Sequence, residues 1–244
     1  MAWPDFGAGY SSRTEQVVLP APNAPPGAYF QPALCAILQA MNTSARSRLA
    51  LLGTLSELHR QPIVYDLACL RRLVAEVAPD ILCAEITREA WEADDLSQTP
   101  VEVRGALAPV EAATDIVLIP VAPTQQQFAD FTPEAGWRRR LVQAFDRLLR
   151  WGQRRANRPE AINGLMFGTF CHTVCWLIEM TWTMEVRRAW EAQNQAIGDN
   201  IIQAVQRDPG RRVLVAVQCQ RLHRLVPLLR AHTDMFEIVT YQAL

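Results

Sequence analysis

The sequence has no lysine: all 24 of its basic residues are arginine. Chemistry that needs a lysine amine is therefore excluded, including a Schiff base, a pyridoxal phosphate anchor and the lysine of a P-loop. Six cysteines are present, at 35, 69, 83, 171, 175 and 219, but no CxxC pair occurs. That speaks against a zinc ribbon and against a thioredoxin-like motif. There is no G-x-S-x-G elbow, no HExxH and no i,i+4 histidine pair, so the familiar serine and zinc hydrolase signatures are missing. No glycine-rich fingerprint follows any apolar run, which disfavours a nucleotide cofactor. The N-terminus lacks a basic segment followed by an apolar one, so no signal peptide is expected and a reducing cytoplasm is the simplest setting. A long apolar stretch without formal charge, 161–178, is broken by Asn163, Gly164, Gly168, Thr169, His172 and Thr173. It reads as a buried helix, or one lining a pocket or dimer interface, and no membrane span is expected. The net charge of −1 gives no general footprint for nucleic acid or an acidic membrane.

What the sequence does contain is a set of four short apolar runs that stop at polar residues. Leu49–Leu52 runs into Gly53, Thr54 and Ser56; 81–84 into Glu85; 116–119 into Pro120; and 213–217 into Gln218, Arg221 and His223. Such runs, separated by helix-like stretches, read as buried parallel strands. In open α/β sheets ligands sit beyond the carboxyl ends of the strands, so these polar stops mark the candidate site.

The intervening pattern predicts an α/β fold: a mostly parallel sheet of about five strands flanked by helices. Residues 1–30, rich in Pro, Ala and Gly, form a flexible tail. Residues 31–244 form a single domain, starting with a short helix at 31–41. Residues 66–78 are an amphipathic helix with Leu67, Leu70, Leu73, Val74 and Val77 on one face. A polar loop over 91–99 precedes a helix over 100–113. The loop 123–133 holds Gln125, Gln126 and Gln127. A helical insertion over about 133–207 follows, then Asp208-Pro209-Gly210 stops the last of its helices. A fourth strand, a helix over 221–231 and a short strand over 236–241 complete the chain.

Glu85, closing a buried strand, is a candidate metal ligand or general base, or else a structural carboxylate paired with an arginine. Arg104, on the helix nearest that strand, is a candidate to reach Glu85 or an anionic ligand, or else an exposed helix residue. Asn194 shares a helical face with Trp190, Ile197 and Ile201, which turns its amide toward the core or a pocket. His59 and His223 each follow a strand and are candidates to share a metal at one end of the sheet. Cys171 and Cys175, at i,i+4 spacing, hold a metal, form a redox pair or simply pack.

The segments Leu51-Leu52-Gly53-Thr54, then 78–85 ending in Glu85, then Arg104, then Gln193-Asn194 with Asp199-Asn200-Ile201, then 212–217, resemble the TraB/Tiki/ChaN-like superfamily, a group that also holds erythromycin esterase-like enzymes. The resemblance covers about residues 46–232. Members have a strand ending in Gly-Thr-x-His, a Pro-Asp-strand-Glu segment, an Arg-Asn helix and a strand ending in Gly-x-x-His. Some are metal-dependent proteases and others bind haem. The resemblance implies a site built from Glu85 and two strand-end histidines, holding a divalent metal of unknown identity. The chain departs from that pattern: Ser56 replaces the first histidine, Gln193 the arginine, and Gln218 and Arg221 the final glycine and histidine. Three readings follow. In one, His59 and His223 are relocated ligands or acid–base groups, and Glu85 and Arg104 support hydrolysis. In another, a diverged pocket lined by Gly53, Thr54, Ser56, Asn194, Gln218 and Arg221 binds a small molecule or a protein partner. A third places the helix at 161–178 in a homo-oligomer interface.

Overall fold

The computed structural model describes residues 46–124 and 136–244, which lie in one unit, Ser44–Leu244. The expected tail, the 31–41 helix and the Gln125–Gln127 run fall outside the described residues. Among the described residues five strands form one sheet: β1 (Ser47–Thr54), β2 (Ile81–Thr87), β3 (Val117–Ala122), β4 (Arg212–Gln218) and β5 (Phe236–Val239). Every pairing is parallel and the order is β3-β2-β4-β1-β5.

The period of two along each strand sorts side chains to the two faces. Ala50, Leu52, Leu82, Ala84, Leu214 and Ala216 face one core. Leu49, Ile81, Cys83, Val213, Val215 and Val217 face the other. Over the first face lie α1 (Leu67–Val77), the π-turn Val103–Leu107 leading into α3 (Ala108–Glu111), and parts of α4 (Trp137–Arg155), α5 (Pro159–Ile162) and α6 (Leu165–Thr181). Over the second lie α7 (Met184–Arg207) and α8 (Leu222–Arg230). A one-turn helix, α2 (Arg88–Glu92), follows β2. The helix expected over 66–78 is there: Asp66 caps it, accepting from the Cys69 N–H at 2.7 Å, and Ala78 in the left-handed region ends it before Pro79.

One strand boundary differs from the pattern. The third run was expected to stop at Pro120, but β3 continues through it to Ala122. β3 is an edge strand, and a proline is tolerated where its missing N–H would face away from the ladder.

This order creates a switch point. β1 leaves the sheet toward α1 on the first face, and so does β2 toward the π-turn. β4, between them, leaves toward α8 on the second face. Chain ends that part to opposite faces open a crevice at the carboxyl ends of the strands. Gly53 sits at its base. Its N–H donates to Asn163 Oδ1 at 2.6 Å, and its carbonyl accepts from the Tyr65 hydroxyl at 3.1 Å. A Cβ there would fall 2.9 Å from Leu222 Cδ1 and 3.0 Å from Cys219 Cβ. Gly53→Ala is therefore expected to cost about 1–3 kcal/mol, read as a lower midpoint in chemical denaturation with an unchanged slope.

Candidate functional site

Beyond β1 and β4 lies a cleft of about 240 Å³. Its lining is polar: Thr54, Ser56, Gln61, Gln153, Gln218 and Gln220, with Glu57, Asp146 and Arg150 at hand. Ser56 holds a positive φ of 51°, which lets the chain turn sharply out of β1 into the 3-10 turn Ser56–Arg60. Arg150 is paired with Asp146 at 2.8 Å on the α4 wall.

Beside the cleft, at the ends of β2 and β4, is a buried ion pair. Arg221 Nε donates to Glu85 Oε1 at 2.7 Å, with both side chains only 3% exposed. Glu85 Oε2 accepts from the Gln218 N–H at 3.1 Å. Arg221 also donates from Nη1 to Asn194 Oδ1 at 3.2 Å, and its guanidinium lies 4.3 Å from the Trp190 ring centre. Asn194 Nδ2 in turn donates to the Trp190 carbonyl at 2.7 Å. A buried charge survives only when paired and hydrogen-bonded, and this set meets that demand with a salt bridge, an amide, a backbone N–H and a cation–π contact. Asn194 thus faces inward as its helical spacing required, but what it meets is Arg221.

Of the two readings of Arg104, the structure gives the one without Glu85, whose arginine is Arg221. Arg104 donates to the Ser97 carbonyl at 2.9 Å in an exposed loop contact and is not a partner of Glu85. Arg104 lies in the π-turn, whose extra backbone reach redirects side chains relative to a regular helix.

His59 is locked by the backbone. Its Nε2 accepts from the Leu55 N–H at 2.8 Å, so Nδ1 carries the proton and donates to the Tyr65 carbonyl at 2.7 Å. Both nitrogens are committed, and burial lowers the pKa of the ring despite the opposing Tyr65 contact. His223 belongs to another network. Its Nε2 lies 3.1 Å from Glu179 Oε1, and its Nδ1 is buried without a partner. It stacks on His172 at 5.1 Å. Glu179 further accepts from Arg224 and from Trp190 Nε1, the latter at 3.1 Å. Burial pushes the Glu179 carboxyl up, but the His223 and Arg224 contacts outweigh it and hold the group below its ordinary value. His59 and His223 share no partner, and among the described residues no group of three or more His, Cys, Asp or Glu side chains is placed to hold a metal ion.

Cys171 and Cys175 approach to 3.9 Å, with Cys219 beside them. The Cys175 contact and burial push the Cys171 thiol up against the opposing Cys219 contact, and the Cys171 contact and burial push the Cys219 thiol up, which suits packed thiols rather than reactive thiolates.

Two carboxylates of this region were not singled out from the pattern: Glu102 and Glu179. Glu102 lies in a helical stretch between two valines and looks like a surface residue. It is instead 3% exposed, accepting from the Thr54 hydroxyl at 2.6 Å while its second oxygen has no partner. Burial raises it to about 7, against the Thr54 hydrogen bond, with the charge of Glu85 adding to the rise. Glu179 ends the apolar 161–178 stretch; an acid at the close of such a run was the available signal.

Comparison with protein-family models, with curated proteins and with solved structures gives no match for this chain.

Two stability predictions follow from these pairs. Between the ordinary glutamate value of 4.5 and about 7 the unfolded chain has lost the Glu102 proton and the fold still holds it. Stability must therefore fall as pH rises through that window, by about 3 kcal/mol in full above it. His59 acts in the opposite sense, costing stability as pH drops below 6.5. Glu102→Gln isolates the first effect: it should leave the melting temperature near pH 4.5 almost unchanged and raise it at pH 8. Equal effects at both pH values would show the assignment to be wrong. For the ion pair, Glu85→Gln or Arg221→Met alone should each cost roughly 3–5 kcal/mol, and the double variant much less than the sum. Urea titration of the three variants reads this coupling.

Proposed function

We propose that this chain is a binding protein of TraB/Tiki/ChaN-like type, whose strand-end site has changed from metal-dependent hydrolysis to holding a small polar molecule. The observation that carries this reading is Arg221. It stands where the resemblance puts the last histidine, and it closes on Glu85 at 2.7 Å. A guanidinium seated on the carboxylate that would ligate a metal or take a proton supplies the positive charge internally, leaving that carboxylate neither vacant nor exposed. His59, spent on two backbone groups, is no better placed to replace a lost ligand.

What remains open to a ligand is the neighbouring cleft. Its walls offer several side-chain amides and hydroxyls, from Thr54, Ser56, Gln61, Gln153, Gln218 and Gln220, each able to donate and accept. That chemistry suits a small uncharged or zwitterionic molecule rich in hydroxyl, amide or ammonium groups. Arg221 and Asn194 act behind it as positioning residues: through the Glu85 carboxylate they fix the Gln218 N–H and the turn Cys219–Arg221.

The test is metal content by mass spectrometry after incubation with manganese, cobalt or zinc, on the native chain and on Glu85→Ala, with thermal melting against a panel of polyols, amides and amino acids. The expected outcome is no stoichiometric metal, and a melting temperature raised by at least one of these compounds but not in Gln218→Leu. One metal ion per chain, lost in Glu85→Ala, would overturn the reading in favour of a hydrolase.

A further inference from the structure

The near-zero net charge conceals a strongly basic helix. α4 carries seven arginines and one acidic residue, Asp146, which is already paired with Arg150 at 2.8 Å. Its side chains divide into sectors around the axis. Leu149, Gly152 and Gln153 are buried. Gly152 lies so close to α6 that a Cβ would fall 2.2 Å from Phe170 Cε1. The contact fixes the rotation of α4 and so fixes what it shows outside. What it shows is an apolar stripe at spacings of four, seven and three residues, Trp137, Leu141, Leu148 and Trp151, with both tryptophans more than half exposed. Arg140, Arg147 and Arg154, seven residues apart, run alongside it and are exposed. The stripe continues onto the start of α6, where Leu165 is 84% and Met166 90% exposed. Trp151, Leu165 and Met166 border one open apolar hollow.

We infer that this face docks on an anionic membrane surface, with the apolar stripe at the level of the acyl chains and the arginine row at the headgroups. The combination of aliphatic side chains, interfacial tryptophans and a flanking arginine sector on one helix is that of an interfacial helix. Charge decides between occupants. A second copy laid on this stripe would set arginine row near arginine row, which repels. Nucleic acid would satisfy the arginines but leave Leu148, Leu165 and Met166 against phosphates. A protein groove would need a pocket shaped for two side chains that protrude almost fully, whereas a fluid acyl layer accepts them without one. No helix among the described residues is long and apolar enough to cross a membrane, and docking requires none.

The test is flotation of the full chain with vesicles of phosphatidylcholine alone and of phosphatidylcholine mixed with phosphatidylglycerol. Binding is expected to the mixed vesicles, to weaken with added salt, and to be slight on phosphatidylcholine alone. Arg140→Gln with Arg147→Gln should weaken it, roughly fivefold per arginine removed. Met166→Glu should also weaken it. An acid in the first turn of α6 favours the helix, so that loss would not come from misfolding. Equal binding to both vesicle types, no binding, or binding that both variants leave unchanged would overturn the proposal. So would a dimer dissolved by Leu148→Glu, or retention on duplex DNA or an acidic peptide in a chain that ignores vesicles.

Discussion

The ion pair between Arg221 and Glu85 is the constraint on which the strand-end architecture rests. Two charges at 3% exposure have lost nearly all their water. The cost of that loss is several kcal/mol per ion, and attraction offsets it only when every remaining donor and acceptor is met. The structure meets it from four elements. Glu85 comes from β2; the Gln218 N–H comes from the end of β4; Arg221 comes from the turn Cys219–Arg221; Asn194 and Trp190 come from α7. The pair therefore ties the sheet to the helix over its second face at the place where the crossovers part. Such a tie specifies one arrangement even where its net contribution to stability is small.

The same tie shapes what chemistry is left. Glu102 is held up at about 7 chiefly by burial, and the nearby Glu85 charge adds to the rise. Its proton-rich state belongs with the Thr54 hydroxyl rather than with an attacking water, since the residue is sealed beneath β1. One carboxylate here is neutralised by arginine, the other keeps its proton until about pH 7, and Asp146 at the cleft is paired with Arg150, so among the described residues little free negative charge is gathered for a cation. The cleft offers amides and hydroxyls. This contrast supports binding over metal-assisted hydrolysis more directly than the missing motif histidines do.

The strands were legible because they are buried on both faces: uninterrupted apolar runs can satisfy two cores at once, and their polar stops marked the crevice. Asn194 was legible because helical periodicity puts it in line with Trp190 and Ile197. Partners were not legible. Whether Glu85 meets Arg104 or Arg221 depends on β4 entering between β1 and β2, which no local pattern encodes. His59 looked like a ligand from its place after a strand, yet a histidine four residues past Leu55 can fold back on that residue's own N–H. Glu102 was hidden because a π-turn follows it, and a regular helix projected from the sequence aims side chains elsewhere.

The helix α4 joins the two proposed roles. Its Asp146, Arg150 and Gln153 line the strand-end cleft, while Trp137, Leu148 and Trp151 point from another sector to the outside. Gln153 also donates to Cys219 Sγ at 3.3 Å, next to the turn that carries Arg221. A helix whose rotation is pinned by Gly152 against Phe170 cannot present its stripe to a surface without keeping its polar sector over the cleft. Docking would then limit fraying and tilting of that wall.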